Sequence, residues 1–158
     1  MKKVGFHIWI GLASVALVAV LSLQTFSHCQ IPCGIYDDEM RFTMLNEHID
    51  TIAKSMNQIN ELSAGEPEQN VNQLVRWVQN KENHADAFTE IVTQYFLSQR
   101  IKPADASDKN AYQKYTNHLV LLHNMMVHAM KAKQTTDLQH VDALRKLVKD
   151  FHNAYGSH

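Results

Sequence analysis

Residues 42–59 read FTMLNEHIDTIAKSMNQI, and the large apolar side chains Phe42, Leu45, Ile49, Ile52, Met56 and Ile59 step by 3, 4, 3, 4 and 3. That spacing returns to one side of a helix at every turn, so it predicts a helix with a single buried stripe. Outward from it, a second helical pattern runs from about Glu68 to Gln99, with Leu74, Val78, Ala85, Phe88, Val92 and Tyr95 on one stripe. Lys81 interrupts that stripe, and its long stem is expected to lie along the apolar surface while its charge reaches water. A third pattern carries Tyr115, Leu119, Leu122, Met126 and Met130, with Ser107 as its expected N-cap. The fourth holds Leu138, Val141, Leu144, Val148, Phe151 and Tyr155, with Gly156 placed to end it. Gly65, Pro67, Pro103 and the Thr135-Thr136 pair mark the joints, and Asp37 is positioned to cap the first helix. No stretch alternates with period two for long enough to read as a strand. Four amphipathic segments with short connections predict an all-α, antiparallel four-helix bundle over residues 37–158.

Residues 1–27 read as a targeting segment. Lys2 and Lys3 precede an uncharged apolar run from Ile8 to Leu23, and Thr25 and Ser27 are small residues three and one positions before His28. That arrangement predicts a cleaved export signal, cut between Ser27 and His28 by a processing peptidase. An exported protein in the periplasm or outside the cell follows, with no stable membrane association after the cut. An uncleaved anchor, or a cytoplasmic location with a non-export prosequence, are the alternatives. Removing 27 of the 158 residues leaves 131, with 13 basic and 16 acidic side chains. One mildly acidic domain without a basic stripe is not built for nucleic acid.

The cut would start the mature chain at His28-Cys29, and Cys29 and Cys33 are the only cysteines. Three residues lie between them, rather than the two of thiol oxidoreductases. Spacing alone leaves a disulfide, a metal site and a reactive thiol pair open. His28 adjoining Cys29, with its nitrogen freed as an amine, moves the balance toward metal. Two thiolates with nitrogen donors suit a soft or borderline ion, and a planar nitrogen–sulfur set suits Ni(II) or Cu(II). Pro32 fixes its own φ, and Gly34 permits close backbone approach just after the second thiol.

His28, Cys29, Pro32, Cys33, Gly34 and Tyr36 form the string H-C-x-x-P-C-G-x-Y, which resembles the metal hook of the nickel-containing superoxide dismutases. Its place at a processing point before a four-helix domain is similar to that family too, and Tyr95-Phe96 is a weaker local likeness. The resemblance implies a hook over residues 28–36 and one nickel per subunit, cycling between Ni2+ and Ni3+. It implies ligation by the His28 amine, the Cys29 amide nitrogen and the thiolates of Cys29 and Cys33, with the His28 imidazole as axial ligand. It implies superoxide as substrate and a homohexamer. Tyr36 is then expected at the open face of the metal, governing access of the anion, with packing of the hook as the alternative. Tyr95 and His84 are candidates for residues beside the ligand set. No counterpart of the glutamate and arginine that orient the imidazole in some relatives is evident, and Met44 and His84 occupy those regions, with Glu47 nearby. Gln30 stands where some relatives carry an acid.

Two other classes are set against this enzyme: a non-catalytic metal-binding exported bundle, and a structural bundle stapled by a Cys29–Cys33 disulfide. His118, His123 and His128 are five apart and do not line one helix face, so they read as scattered surface or polar-core residues. Met125, Met126 and Met130 read as bundle core.

Overall fold

The computed structural model of the chain describes residues 36–65 and 67–156. The expected cut after Ser27, and His28, Cys29, Pro32, Cys33 and Gly34, lie outside the described residues. Helix α1 spans Asp38–Ala64. Helix α2 spans Pro67–Glu90 and continues as a π-helical stretch, Ile91–Arg100. Helices α3 and α4 span Lys109–Gln134 and Gln139–Gly156. Among the described residues these are the helices of an all-α bundle, and none contains a strand.

Local chemistry sets the ends. The Asp37 carboxylate accepts the Met40 N–H at 2.9 Å, and Asp38 and Glu39 place negative charge in the first turn. Pro67 opens α2, where its missing N–H is no loss. The cap of α3 is Asp108, which accepts the Ala111 N–H at 3.0 Å, and not Ser107. Ser107 is drawn into the preceding turn, where its N–H donates to Asp105 at 2.8 Å.

Each helix packs on its sequence neighbour, and α4 also packs on α1, so the order around the bundle is up-down-up-down. Phe42, Leu45, Ile49, Ile52 and Met56 of α1 are buried, as are Ala85, Phe88, Val92 and Tyr95 of the second stripe. Val141, Leu144, Val148 and Phe151 of α4 complete the core. Rings from three helices meet at one end: Phe42, Phe96 and Phe151 have centroids 5.1–5.7 Å apart. These rings form an aromatic plug at the end of the bundle where Tyr36 meets Tyr95, whose ring packs on Phe96.

The expectations about the stripes need correction at four places. Two of them are Val78 and Leu138, which are exposed because each lies toward the end of its stripe away from the packed centre. On α3 the buried residues are His118, Leu122, Met125, Ala129 and Ala132, while Met130 is 48 % exposed. The register favours small alanines at the packed positions and turns the bulky methionine outward. Lys81 does not reach water. Its side chain is buried, and its ammonium donates to the carbonyls of Ala132, Lys133 and Thr135 at 2.9, 2.6 and 3.1 Å. Those are the unpaired acceptors at the C-terminal end of α3, so a cation from α2 caps a neighbouring helix. Burial pushes the Lys81 pKa below its usual value, against the pull of Glu82.

Candidate functional site

Asp38 stands two residues after Tyr36, on the first turn of α1, and its carboxylate gathers three other side chains. Arg100 Nε and Nη2 donate to Oδ1 and Oδ2 at 2.9 and 2.6 Å, a two-pronged ion pair. The Tyr95 hydroxyl donates to Oδ1 at 2.6 Å and the Tyr155 hydroxyl to Oδ2 at 2.9 Å. One carboxylate thus ties α1 to the end of the π-helical stretch and to the last turns of α4.

The π-helical geometry explains how Tyr95 and Arg100 share a target. In an α-helix, residues five apart point about 140° away from each other. Here the ladder is wider: the Ile101 N–H donates to the Phe96 carbonyl at 2.9 Å, and the Ser98 hydroxyl to the Thr93 carbonyl at 2.8 Å, both five residues back. An i→i+5 ladder brings residues five apart toward one side.

Tyr36 completes the cluster through its ring. The Arg100 guanidinium carbon lies 4.3 Å from the Tyr36 centroid, and the Tyr95 ring meets it edge-to-face at 6.0 Å. On the other side of Tyr95, the Arg41 guanidinium sits 4.8 Å from the ring centroid and donates from Nη1 to Met44 Sδ at 3.6 Å. The Arg41 Nε is buried without a hydrogen-bond partner.

Electrostatics follow from these contacts. Burial alone would raise the Asp38 pKa, but the bonds from Arg100, Tyr95 and Tyr155 together hold it below the usual carboxylate range. Burial and the donated bond to Asp38 push Tyr95 up to about 12, and the same two causes push Tyr155 up to about 12. The bond to Asp38 raises the Arg100 pKa further. Both phenols therefore stay protonated at neutral pH with their protons directed at Asp38.

Of the sequence candidates, the structure brings Tyr36 and Tyr95 together. It places His84 elsewhere, against His48 of α1, with their Nδ1 atoms 2.9 Å apart. His84 and Tyr95 are eleven residues apart, about 16 Å along a helix. Met44 is taken up by Arg41. Asp38 and Arg100 were not singled out in the sequence, and Tyr155 was read only as part of the apolar stripe of the last helix. An acid two residues after Tyr36, and an arginine five after Tyr95, are the signals that point to the first two.

A second histidine pair, His128 and His140, joins α3 to α4 with Nδ1 atoms 3.3 Å apart. His118 is buried and its Nε2 lies 3.2 Å from the Ala154 carbonyl oxygen. Among the described residues no group of three or more His, Cys, Asp or Glu side chains could hold a metal ion. The soft donors of this chain are Cys29 and Cys33, beside His28. That set of two thiols and an imidazole fits a nitrogen–sulfur transition-metal site.

No curated protein and no solved structure matches the chain. A family model, that of the nickel-containing superoxide dismutases, matches residues 23–158.

Proposed function

This chain belongs to the nickel-containing superoxide dismutase family, an oxidoreductase family with nickel as its cofactor, and from that premise we propose how its own residues carry the activity. The reaction converts two superoxide anions and two protons into dioxygen and hydrogen peroxide. The observation that carries the reading is that the family match spans the only two cysteines together with the whole bundle.

Processing between Ser27 and His28 frees the His28 amine. That amine, the Cys29 amide nitrogen, the thiolates of Cys29 and Cys33 and the His28 imidazole hold the metal, one ion per subunit. When bound, nickel supplies a one-electron couple between Ni2+ and Ni3+. The thiolates and the deprotonated amide donate charge strongly, which brings that couple into the range that superoxide can both reduce and oxidise. Pro32 fixes its own φ, and Gly34 permits close backbone approach just after the second thiol. An amide-capped His28 lacks the amine donor, so the precursor is inactive.

Tyr36 follows Cys33 by three residues, a stretch of chain that spans at most about 11 Å. It is the residue assigned to substrate access, its phenol meeting the small anion or the water that precedes it. Tyr95 stands beside it as part of the wall. Thiolates near peroxide are prone to oxidation, so access has to be narrow. The protein works after export, outside the cytoplasm, and assembles as a homohexamer. Val71, Val75 and Val78 line an exposed apolar strip of α2 that supports an assembly contact.

Intact mass and metal content of protein purified from its native host, with a superoxide assay on the same sample, test the reading. A chain beginning at His28, with about one nickel per subunit and fast turnover, is expected. A chain two hydrogens below the dithiol mass, without metal or turnover, would favour a disulfide-stapled bundle instead.

A further inference from the structure

The three tyrosines at this end of the bundle are not equivalent. Tyr95 and Tyr155 both donate their hydroxyls to Asp38. The Tyr36 hydroxyl has no hydrogen-bond partner among the described residues. What holds Tyr36 is its ring, set against the Arg100 guanidinium at 4.3 Å and the Tyr95 ring at 6.0 Å. Both neighbours are fixed by the same carboxylate, Arg100 through bonds of 2.9 and 2.6 Å and Tyr95 through one of 2.6 Å.

We propose that Asp38 is the positioning residue for Tyr36. It fixes the two walls against which the Tyr36 ring stands, and it occupies the hydroxyls of Tyr95 and Tyr155. Of the three phenols, Tyr36 alone has no hydroxyl partner among the described residues, and it is the one that meets a small anion or its water. The proposal rests on the reading of Tyr36 given above. Ring contacts of this kind are weak and set an orientation only when the groups making them are held rigidly. The four bonds on Asp38 provide that rigidity. An amide at position 38 would keep the shape but not the function. It offers one acceptor oxygen, and its NH2 would face an Arg100 N–H, which can only donate.

The test is a double-mutant cycle on processed, nickel-loaded protein: wild type, Asp38→Asn, Tyr36→Phe and the pair. Nickel content should match wild type in all four. Each single variant is expected to lose about tenfold in kcat/KM, the scale for residues that orient a site from behind it. The pair should lose no more than either single, because both changes remove the same placed phenol. A second readout needs no turnover. In tyrosine-labelled apoprotein, the ring-proton shifts of Tyr36 should move toward unstructured values in Asp38→Asn. Arg100→Lys, which keeps the charge but loses the flat two-pronged fork, should move them too, and it replaces Asp38→Asn if that variant does not fold.

Losses that multiply to about a hundredfold in the pair would overturn the proposal. So would an unmoved Tyr36 ring, or nickel lost together with activity in Asp38→Asn. Nickel-loaded wild type without superoxide turnover would sink the functional reading, while the ring shifts would still decide whether Asp38 places Tyr36.

Discussion

Replacing Lys81 by Met separates two opposing effects on a buried cation. The methionine keeps the volume of the stem, so no cavity opens, but the ammonium and its bonds to the carbonyls of Ala132, Lys133 and Thr135 disappear. Relief of the desolvation of a buried charge favours the variant, and that same burial already pushes the lysine pKa down. Against this, the contact to Ala132 is buried, so that carbonyl loses its partner where water does not easily replace it, at about 1–3 kcal/mol. The other two carbonyls are only partly buried and can rehydrate. Losing a cation at a partly buried helix C-terminus adds up to ~2 kcal/mol. With the desolvation relief set against the sum, the expected net loss is about 2 kcal/mol. With a urea dependence of ~1–3 kcal/mol per molar, the unfolding midpoint should fall by about 1 M with an unchanged slope. Equilibrium urea unfolding of the apoprotein at neutral pH, followed by circular dichroism, reads this directly. A midpoint equal to wild type or higher would refute the reasoning, because desolvation would then outweigh the cap.

Acid should weaken the fold in two steps. Burial, then the neighbouring His84, lowers the His48 pKa against the pull of Glu47, and burial, His140 and Lys131 lower that of His128. The unfolded chain then takes up protons first, so this stability is whole above about pH 6.5 and falls as pH drops toward the folded values, by up to about 1.4 kcal/mol per pH unit for each residue. A His48→Gln/His128→Gln variant should show a flatter dependence in this window, and equal slopes would count against the assignment. The second step belongs to Asp38, whose lowered pKa gives stability that is present above about pH 3.8 and lost as pH falls below it. Asp38→Asn should remove that step from the acid unfolding profile. Cys29→Ser or Cys33→Ser should abolish nickel binding and turnover together, by metal analysis and assay. His28→Ala should keep part of the nickel and lose most turnover, and unchanged turnover would remove the imidazole from the proposed ligand set. Asp108→Ala should cost about 1 kcal/mol in thermal unfolding, whereas Ser107→Ala should be nearly neutral.

The bundle was legible where bulk and periodicity coincide. Phe42 to Met56 and Val141 to Phe151 are both heavy and regularly spaced, and they are the buried faces of α1 and α4. In α3 the two signals part company. Ala129 and Ala132 carry little apolar weight, so a stripe drawn through large side chains drifts to Met130, which the packing leaves outside. Lys81 was read by the usual habit of lysine, and its true partner is set by where α3 stops, about fifty residues later. The proposed metal donors His28, Cys29 and Cys33 are close in sequence and lie outside the described residues, so they rest on the sequence alone. Asp38 and Arg100 were not legible, because 62 residues separate them and their meeting depends on a helical ladder that no local spacing rule marks.

That ladder makes residue count, rather than residue type, part of the site. The wide turns of Ile91–Arg100 let Tyr95 and Arg100 converge on Asp38 because five residues there bring the backbone back toward the same side. Deleting one residue from this stretch would relax it toward ordinary α geometry, where positions four apart are neighbours. A deletion between the two residues would leave them four apart and so still on one side, whereas five residues of ordinary α-helix would turn the arginine about 140° away. A relative with one residue fewer between the tyrosine and the arginine therefore keeps the clamp if this stretch is ordinary α-helix, and one with the same count but no wide turn loses it. Gap placement in this ten-residue window is thus as telling as any identity when sequences of this family are aligned.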